Sequence, residues 1–201
     1  MTKHPLHLRN GHLFIEIDNK LWLVDTGASS SFGISSAALA QMTGVECEGI
    51  LGTDLLHQYD SIIDVPGGEM SMATEMLLHD GVSVFMQDSS SGIPMIYPLI
   101  DGIEYKMFLD TGAQLSYFQN HSITDYPIAG TVEDFHPTIG KFETYTYDVP
   151  ITLGGITFTL PCGMLPPNLE KWLPQSDGII GNEIFSKRSV GYFPRRCLLT
   201  L

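Results

Sequence analysis

Val24-Asp25-Thr26-Gly27-Ala28-Ser29 decides the fold, because it returns 85 residues later as Leu109-Asp110-Thr111-Gly112-Ala113-Gln114. The lead-in repeats too: residues 14–18 and 21–24 answer 97–101 and 106–109. Each copy reads as a β-hairpin, turning at Asp18-Asn19 or Asp101-Gly102, whose second strand delivers the Asp-Thr-Gly. A second signature follows in both copies. Gly49-Ile50-Leu51-Gly52-Thr53-Asp54 corresponds to Gly178-Ile179-Ile180-Gly181-Asn182-Glu183. A short helix is expected after each, with Thr53 or Asn182 as its N-cap. A strand and turn close each copy, at residues 61–68 and 189–196. Four landmarks in one order mark a duplicated unit.

The copies differ in length. Gly49 lies 24 residues beyond Asp25, whereas Gly178 lies 68 beyond Asp110. The additional stretch, about residues 127–165, reads as β-structure: 142–147 alternates with period two, and 151–160 forms a hairpin on Gly154-Gly155. The shorter copy holds a Ser-rich turn and a helical segment over 35–42. Gln87-Asp88-Ser89-Ser90-Ser91-Gly92 has linker composition. The division expected is therefore 1–87, a linker at 88–92, and 93–201.

Composition narrows the function classes. Of 201 residues, 43% are hydrophobic and only 16% charged, enough apolar material for a core. Net charge is −13, and no Lys or Arg occurs from residue 21 to 105, where twelve Asp and Glu fall. Such a surface repels polyanions, which argues against nucleic acid as a partner. No apolar run exceeds four residues and no secretory signal is visible, so a cytoplasmic protein without a membrane span is expected. Cys47, Cys162 and Cys197 are odd in number and lack metal-ligand spacing, so they read as reduced, mostly buried thiols. His4, His7 and His12 read as exposed terminal histidines rather than a metal clip. Trp22 and Trp172 read as core or lid packing. Tyr145 and Tyr147 read as cross-strand packing. No phosphate-binding loop is present.

An Asp at the end of an apolar strand, followed by Thr-Gly, holds its carboxylate at the edge of a core. The Gly permits a tight turn and leaves backbone N–H groups free to reach that carboxylate. On duplicated units two such carboxylates can meet face to face. At about 3 Å they cannot both ionise, so they share a proton and are poised for acid–base work on a water.

These motifs resemble the aspartic proteases of the pepsin and retropepsin group over nearly the whole chain, from about residue 13 to 201. The resemblance implies an all-β, two-lobed fold with short helices, the lobes related by a pseudo-twofold axis around a cleft for a peptide or protein substrate. Asp25 and Asp110 would be the catalytic pair, needing no metal or organic cofactor and no second copy of the chain. Thr26 and Thr111 would bond across the lobe interface, and Gly27 and Gly112 would donate N–H groups to the carboxylates. Ile50, Leu51, Gly52, Ile179, Ile180 and Gly181 would pack beneath the two loops.

Three departures from the family shape the expectation. The short first copy has little room for a flap, leaving the second copy's hairpin around His136-Pro137-Thr138-Ile139-Gly140-Lys141-Phe142 as the candidate. Ala28 and Ala113 stand where pepsins carry a hydroxyl that favours the ionised carboxylate, so the optimum pH should lie nearer neutrality than pepsin's. No pepsin-type propeptide fits upstream of Asp25, which points to narrow specificity, restricted access or weak turnover. A peptide-binding module that keeps the cleft without turnover, or a processor of one dedicated partner, are the rival readings.

Overall fold

The computed structural model describes all residues except 32–33, 120, 137–138, 168, 170–172 and 174–175, so Trp172 and Thr138 lie outside the described residues. Strands dominate. In chain order they are β1 (Thr2–Arg9), β2 (His12–Ile17), β3 (Lys20–Val24), β4 (Gly49–Leu51), β5 (Asp60–Asp64), β6 (Glu69–Ala73) and β7 (Ser83–Phe85). The middle of the chain adds β8 (Gln87–Asp88), β9 (Pro94–Ile96), β10 (Leu99–Ile100), β11 (Ile103–Glu104), β12 (Met107–Leu109) and β13 (Ser116–Phe118). Then come β14 (Ile128–His136), β15 (Gly140–Leu153), β16 (Ile156–Met164), β17 (Gly178–Ile180), β18 (Val190–Phe193) and β19 (Leu198–Thr200). The short α-helices are α1 (Ser36–Thr43), α2 (Thr53–Leu56) and α3 (Glu183–Lys187). None of the described helices is long and apolar enough to cross a membrane.

Two sheets result. One runs β4-β3-β2-β1-β6-β5-β18-β19-β7, and the other β11-β10-β15-β16-β13-β17-β12-β9-β8, with β14 added on β15. One continuous apolar core spans both, from Leu13, Ile15 and Val24 to Phe118, Val149 and Ile180. Sheet membership crosses the 88–92 stretch. β8 pairs with β9 through a turn in which Ser89 bonds Ile93, so this serine-rich stretch is a hairpin turn rather than a free linker. The last two strands return to the first sheet, β18 beside β5 and β19 beside β7.

Local chemistry explains most elements. Asp18 and Asn19 take positive φ (52° and 60°), the twist a two-residue hairpin needs, and join β2 to β3. Gly154 and Gly155 do the same between β15 and β16. Ser35 caps α1 through a bond from Ala38 N–H, and Gly44 ends it at φ 68°. In the second copy the expected hairpin strand is interrupted. β11 stops at Glu104, and the strand that delivers Asp110 is a separate one, β12, paired with β9 and β17. The break is held by Asp177, whose carboxylate accepts from Lys106 N–H at 2.7 Å while its own N–H donates to Lys106 O at 2.7 Å. Of the three thiols, Cys47 and Cys162 are buried, but Cys197 is exposed at a left-handed turn position.

Asp60 secures the returning strands. It is 1% exposed and accepts from Arg195 at 2.8 Å, Arg196 at 2.5 Å and Leu77 N–H at 3.0 Å. The arginines also donate to the carbonyls of Thr74, Glu75 and Leu77, and Arg196 lies 4.1 Å over the Phe193 ring. Two of the few cations in this acidic chain are thus spent on one buried carboxylate. Asp60→Ala is expected to destabilise the fold by about 3 kcal/mol in urea denaturation. That is the low end for breaking a buried pair, because the arginine side chains are 37% and 28% exposed and can regain water. A loss under about 1 kcal/mol would equate the cluster with a surface ion pair and contradict this account.

Candidate active site

The two Asp-Thr-Gly loops are built by one local rule used twice. β3 runs parallel to β4 with Leu23 opposite Ile50 and Val24 opposite Leu51. β12 runs parallel to β17 with Phe108 opposite Ile179 and Leu109 opposite Ile180. Asp25 N–H then donates to Leu51 O at 3.1 Å, and Asp110 N–H to Ile180 O at 2.9 Å. Beyond each loop the chain is caught again, Thr53 N–H on Ala28 O (2.8 Å) and Asn182 N–H on Ala113 O (3.0 Å). Gly52 and Gly181 permit this crossing: a Cβ would sit 2.7 Å from Ala28 O at one and 2.5 Å from Leu115 O at the other. Neither Thr53 nor Asn182 caps its helix through the side chain. Gly52 is the N-cap of α2, and Asn182 instead donates to Thr111 O and Gly11 O, bracing the second loop.

The loops interlock. Thr26 and Thr111 are fully buried, and each hydroxyl donates to the strand before the opposite loop: Thr26 to Leu109 O at 2.7 Å, Thr111 to Val24 O at 2.8 Å. Each hydroxyl also accepts the other threonine's N–H at 3.0 Å. Asp25 accepts from Gly27 and Ala28 N–H at 2.9 and 3.0 Å, and Asp110 from Gly112 and Ala113 N–H at 2.9 and 3.1 Å. Gly27 lies against the Asp110 carboxyl and Gly112 against that of Asp25, so closely that a Cβ at either would overlap the facing carboxyl.

The two carboxyls bond each other at the floor of a cavity of about 310 Å³. They are deep-set yet reachable from that cavity. Burial drives both pKa values above the ordinary carboxylate range, most strongly for Asp25, where the Asp110 charge and the shared bond add to it. Their backbone donors pull the other way without cancelling burial. One proton is held between the two groups, which titrate as a unit.

The cavity walls are mostly apolar, with Leu23, Ile34 and Leu39 from the first copy and Tyr117, Phe142 and Leu165 from the second. The β14–β15 hairpin adds Asp134, Phe135 and His136. Tyr117 donates to Asp134, and its ring meets that of Phe142 edge-on at 6.0 Å, tying the hairpin to the strand that follows the Asp110 loop. Of the hairpin residues singled out in the sequence, Phe142 reaches the cavity and Ile139 packs on the Tyr117–Leu165–Leu169 cluster. Gly140 forms the turn at φ 76°, and Lys141 is turned away, paired with Glu133 at 2.6 Å.

Several site residues are not evident in the sequence. His12 is not a free terminal histidine: its Nδ1–H donates to Gly112 O at 3.0 Å and its ring lines the cavity. Asp134 and Tyr117 belong to segments with no motif, whereas His136 opens the hairpin singled out in the sequence and does reach the cavity. Ser31 and Ser116 carried a signal, since both stand six residues after their Asp, but a lone Ser attracts no notice. Tyr145 is exposed and Tyr147 packs on the core, and neither lines the cavity. No protein-family model matches this chain, and no curated protein matches it in sequence.

Proposed function

We propose that the protein is an aspartic endopeptidase of the two-lobed, pepsin/retropepsin-like kind, hydrolysing peptide bonds with a water held between Asp25 and Asp110. The observation that carries this is the pair of deep-set, mutually bonded carboxyls clamped by interlocked threonines at the floor of an apolar cavity. The ionised carboxylate takes a proton from water as its oxygen attacks the peptide carbonyl, and the protonated partner donates to the carbonyl oxygen. Collapse of the resulting diol passes a proton to the amide nitrogen, and the C–N bond breaks. Both carboxyls come from one chain, so a second copy is not required.

One feature favours the binding-only reading. In the first copy α1 stands in the interval where the second copy carries its hairpin, lining the cavity with Leu39, Met42 and Thr43, so the two copies supply no matched pair of flaps among the described residues. A digest of a proteome-derived peptide library from pH 3 to 8, read by mass spectrometry, separates the two. Cleavage is expected, with an optimum above about pH 3 because the raised pair stays protonated well past the range of an isolated carboxyl. No cleavage at any pH, with peptides retained on immobilised protein, would overturn the protease reading in favour of binding.

A further inference from the structure

Beneath each Asp-Thr-Gly loop lies a second, matched polar pair. Ser31, six residues after Asp25, donates to Asp54 through its N–H at 3.0 Å and its hydroxyl at 2.6 Å, and its Oγ accepts from Gly52 N–H at 2.9 Å. Ser116, six residues after Asp110, repeats this on Glu183. Its N–H donates to Oε1 at 2.5 Å, its hydroxyl to Oε2 at 3.2 Å, and its Oγ accepts from Gly181 N–H at 3.1 Å. Each pair ties the far end of an active-site loop to the glycine that passes under it. We propose that Ser31–Asp54 and Ser116–Glu183 are the positioning pairs of the carboxyl dyad, and that the second makes the Asp110 loop respond to pH near neutrality while the first leaves the Asp25 loop unresponsive.

The asymmetry lies in the surroundings. Asp54 is exposed, and its donors hold it below the ordinary carboxylate range, so it stays ionised through neutrality. Glu183 is 9% exposed and has no ion-pair partner among the described residues. Around it stand Lys187 on its own helix, Tyr117 on β13 and Cys162 on β16. β5, which also packs on α3, carries Asp60, held by the two arginines, and Asp64, which accepts from Gly67 N–H. Among the described residues Lys187 alone adds a charge that favours the anion, together with the N–H and hydroxyl donors. Burial outweighs them and pushes Glu183 up to about 7.

The two states bond differently. Ionised, Glu183 accepts both Ser116 donors, and Ser116 Oγ is free to accept from Gly181. Protonated, its new O–H must aim at Ser116 Oγ, the serine hydroxyl loses its acceptor, and the clamp on the loop is rearranged. The proton exchanges with solvent.

The amides report this without any substrate. In ¹⁵N-labelled full chain, the Ser116 and Gly181 amide shifts are expected to titrate between pH 5 and 9 with a midpoint near 7, while Ser31 and Gly52 stay flat over that window. Glu183→Gln should abolish the titration. Ser116→Ala keeps the N–H but removes the hydroxyl donor, so the midpoint read at Gly181 should rise by about one pH unit. A flat Ser116 amide in wild type, an unchanged midpoint in either variant, or Ser31 titrating in step with Ser116 would overturn the assignment. The functional consequence rests on the protease reading: kcat/KM should show an inflection near pH 7 that Glu183→Gln removes. Loss of cleavage in all forms with the titration intact would sink the protease reading and leave the pair standing.

Discussion

Asp25→Asn and Asp110→Asn are each expected to lower peptide cleavage by about 10⁴-fold, the upper end of what positioned acid–base groups contribute. The substitution is close to isosteric. At either position the amide oxygen can still accept the two loop N–H groups, and the amide nitrogen can donate to the remaining carboxylate, so the fold and the cavity should persist. What disappears is the shared proton. An amide can neither take the proton of the attacking water nor return one to the carbonyl oxygen, so both halves of the cycle fail. Peptide affinity should survive within a few-fold, since the walls are untouched. A variant that still cleaved at a tenth of the wild-type rate would remove the dyad from the mechanism. Stability supplies a second readout. The folded pair holds its proton above 3.8, where an unperturbed Asp releases it, so the native state loses relative stability as pH rises through the raised value. In Asp110→Asn the remaining Asp25 keeps its burial but no longer faces the Asp110 charge, and that pH dependence should shrink.

The duplication made the centre of the site legible. Aligning Asp25 with Asp110 and Gly52 with Gly181 marks equivalent positions in the two copies, and the structure pairs β3 with β4 and β12 with β17 in the same parallel register. Hairpin turns at Asp18-Asn19 and Gly154-Gly155 were legible because a positive φ restricts which residues can stand there. Long-range partnerships were not. β18 and β19 are short apolar strands with no signal for either sheet, and the structure places β18 beside β5 and β19 between β18 and β7. His12 reaches Gly112 across 100 residues of chain, which no local pattern encodes. The Ser31–Asp54 and Ser116–Glu183 pairs sit between these cases, visible only when both copies are compared for polar residues at equal offsets.

The threonines carry the heaviest structural burden. Thr26→Val preserves shape and burial but removes a hydroxyl that donates to Leu109 O and accepts Thr111 N–H. Both partners are enclosed between the loops, with no water-facing alternative for Thr111, which is fully buried. Each orphaned group costs about 1–3 kcal/mol, so the variant should lose about 2–6 kcal/mol in urea denaturation. That is a large part of the roughly 5–15 kcal/mol that holds a domain folded. Thr26→Ser keeps the hydroxyl and forfeits one buried methyl, about 1 kcal/mol, which separates the bonding from the packing. If Thr26→Val proved no worse than Thr26→Ser, the bonds across the loops would contribute nothing and packing alone would hold the carboxyls together. Thr111→Val should match Thr26→Val in size, because it orphans the equivalent pair, Val24 O and Thr26 N–H. The double variant leaves all four groups without partners. Its loss should exceed either single loss unless the loops part and let water in. In that case the carboxyls lose each other as well, and their shared proton would be released at the pH of an ordinary aspartate.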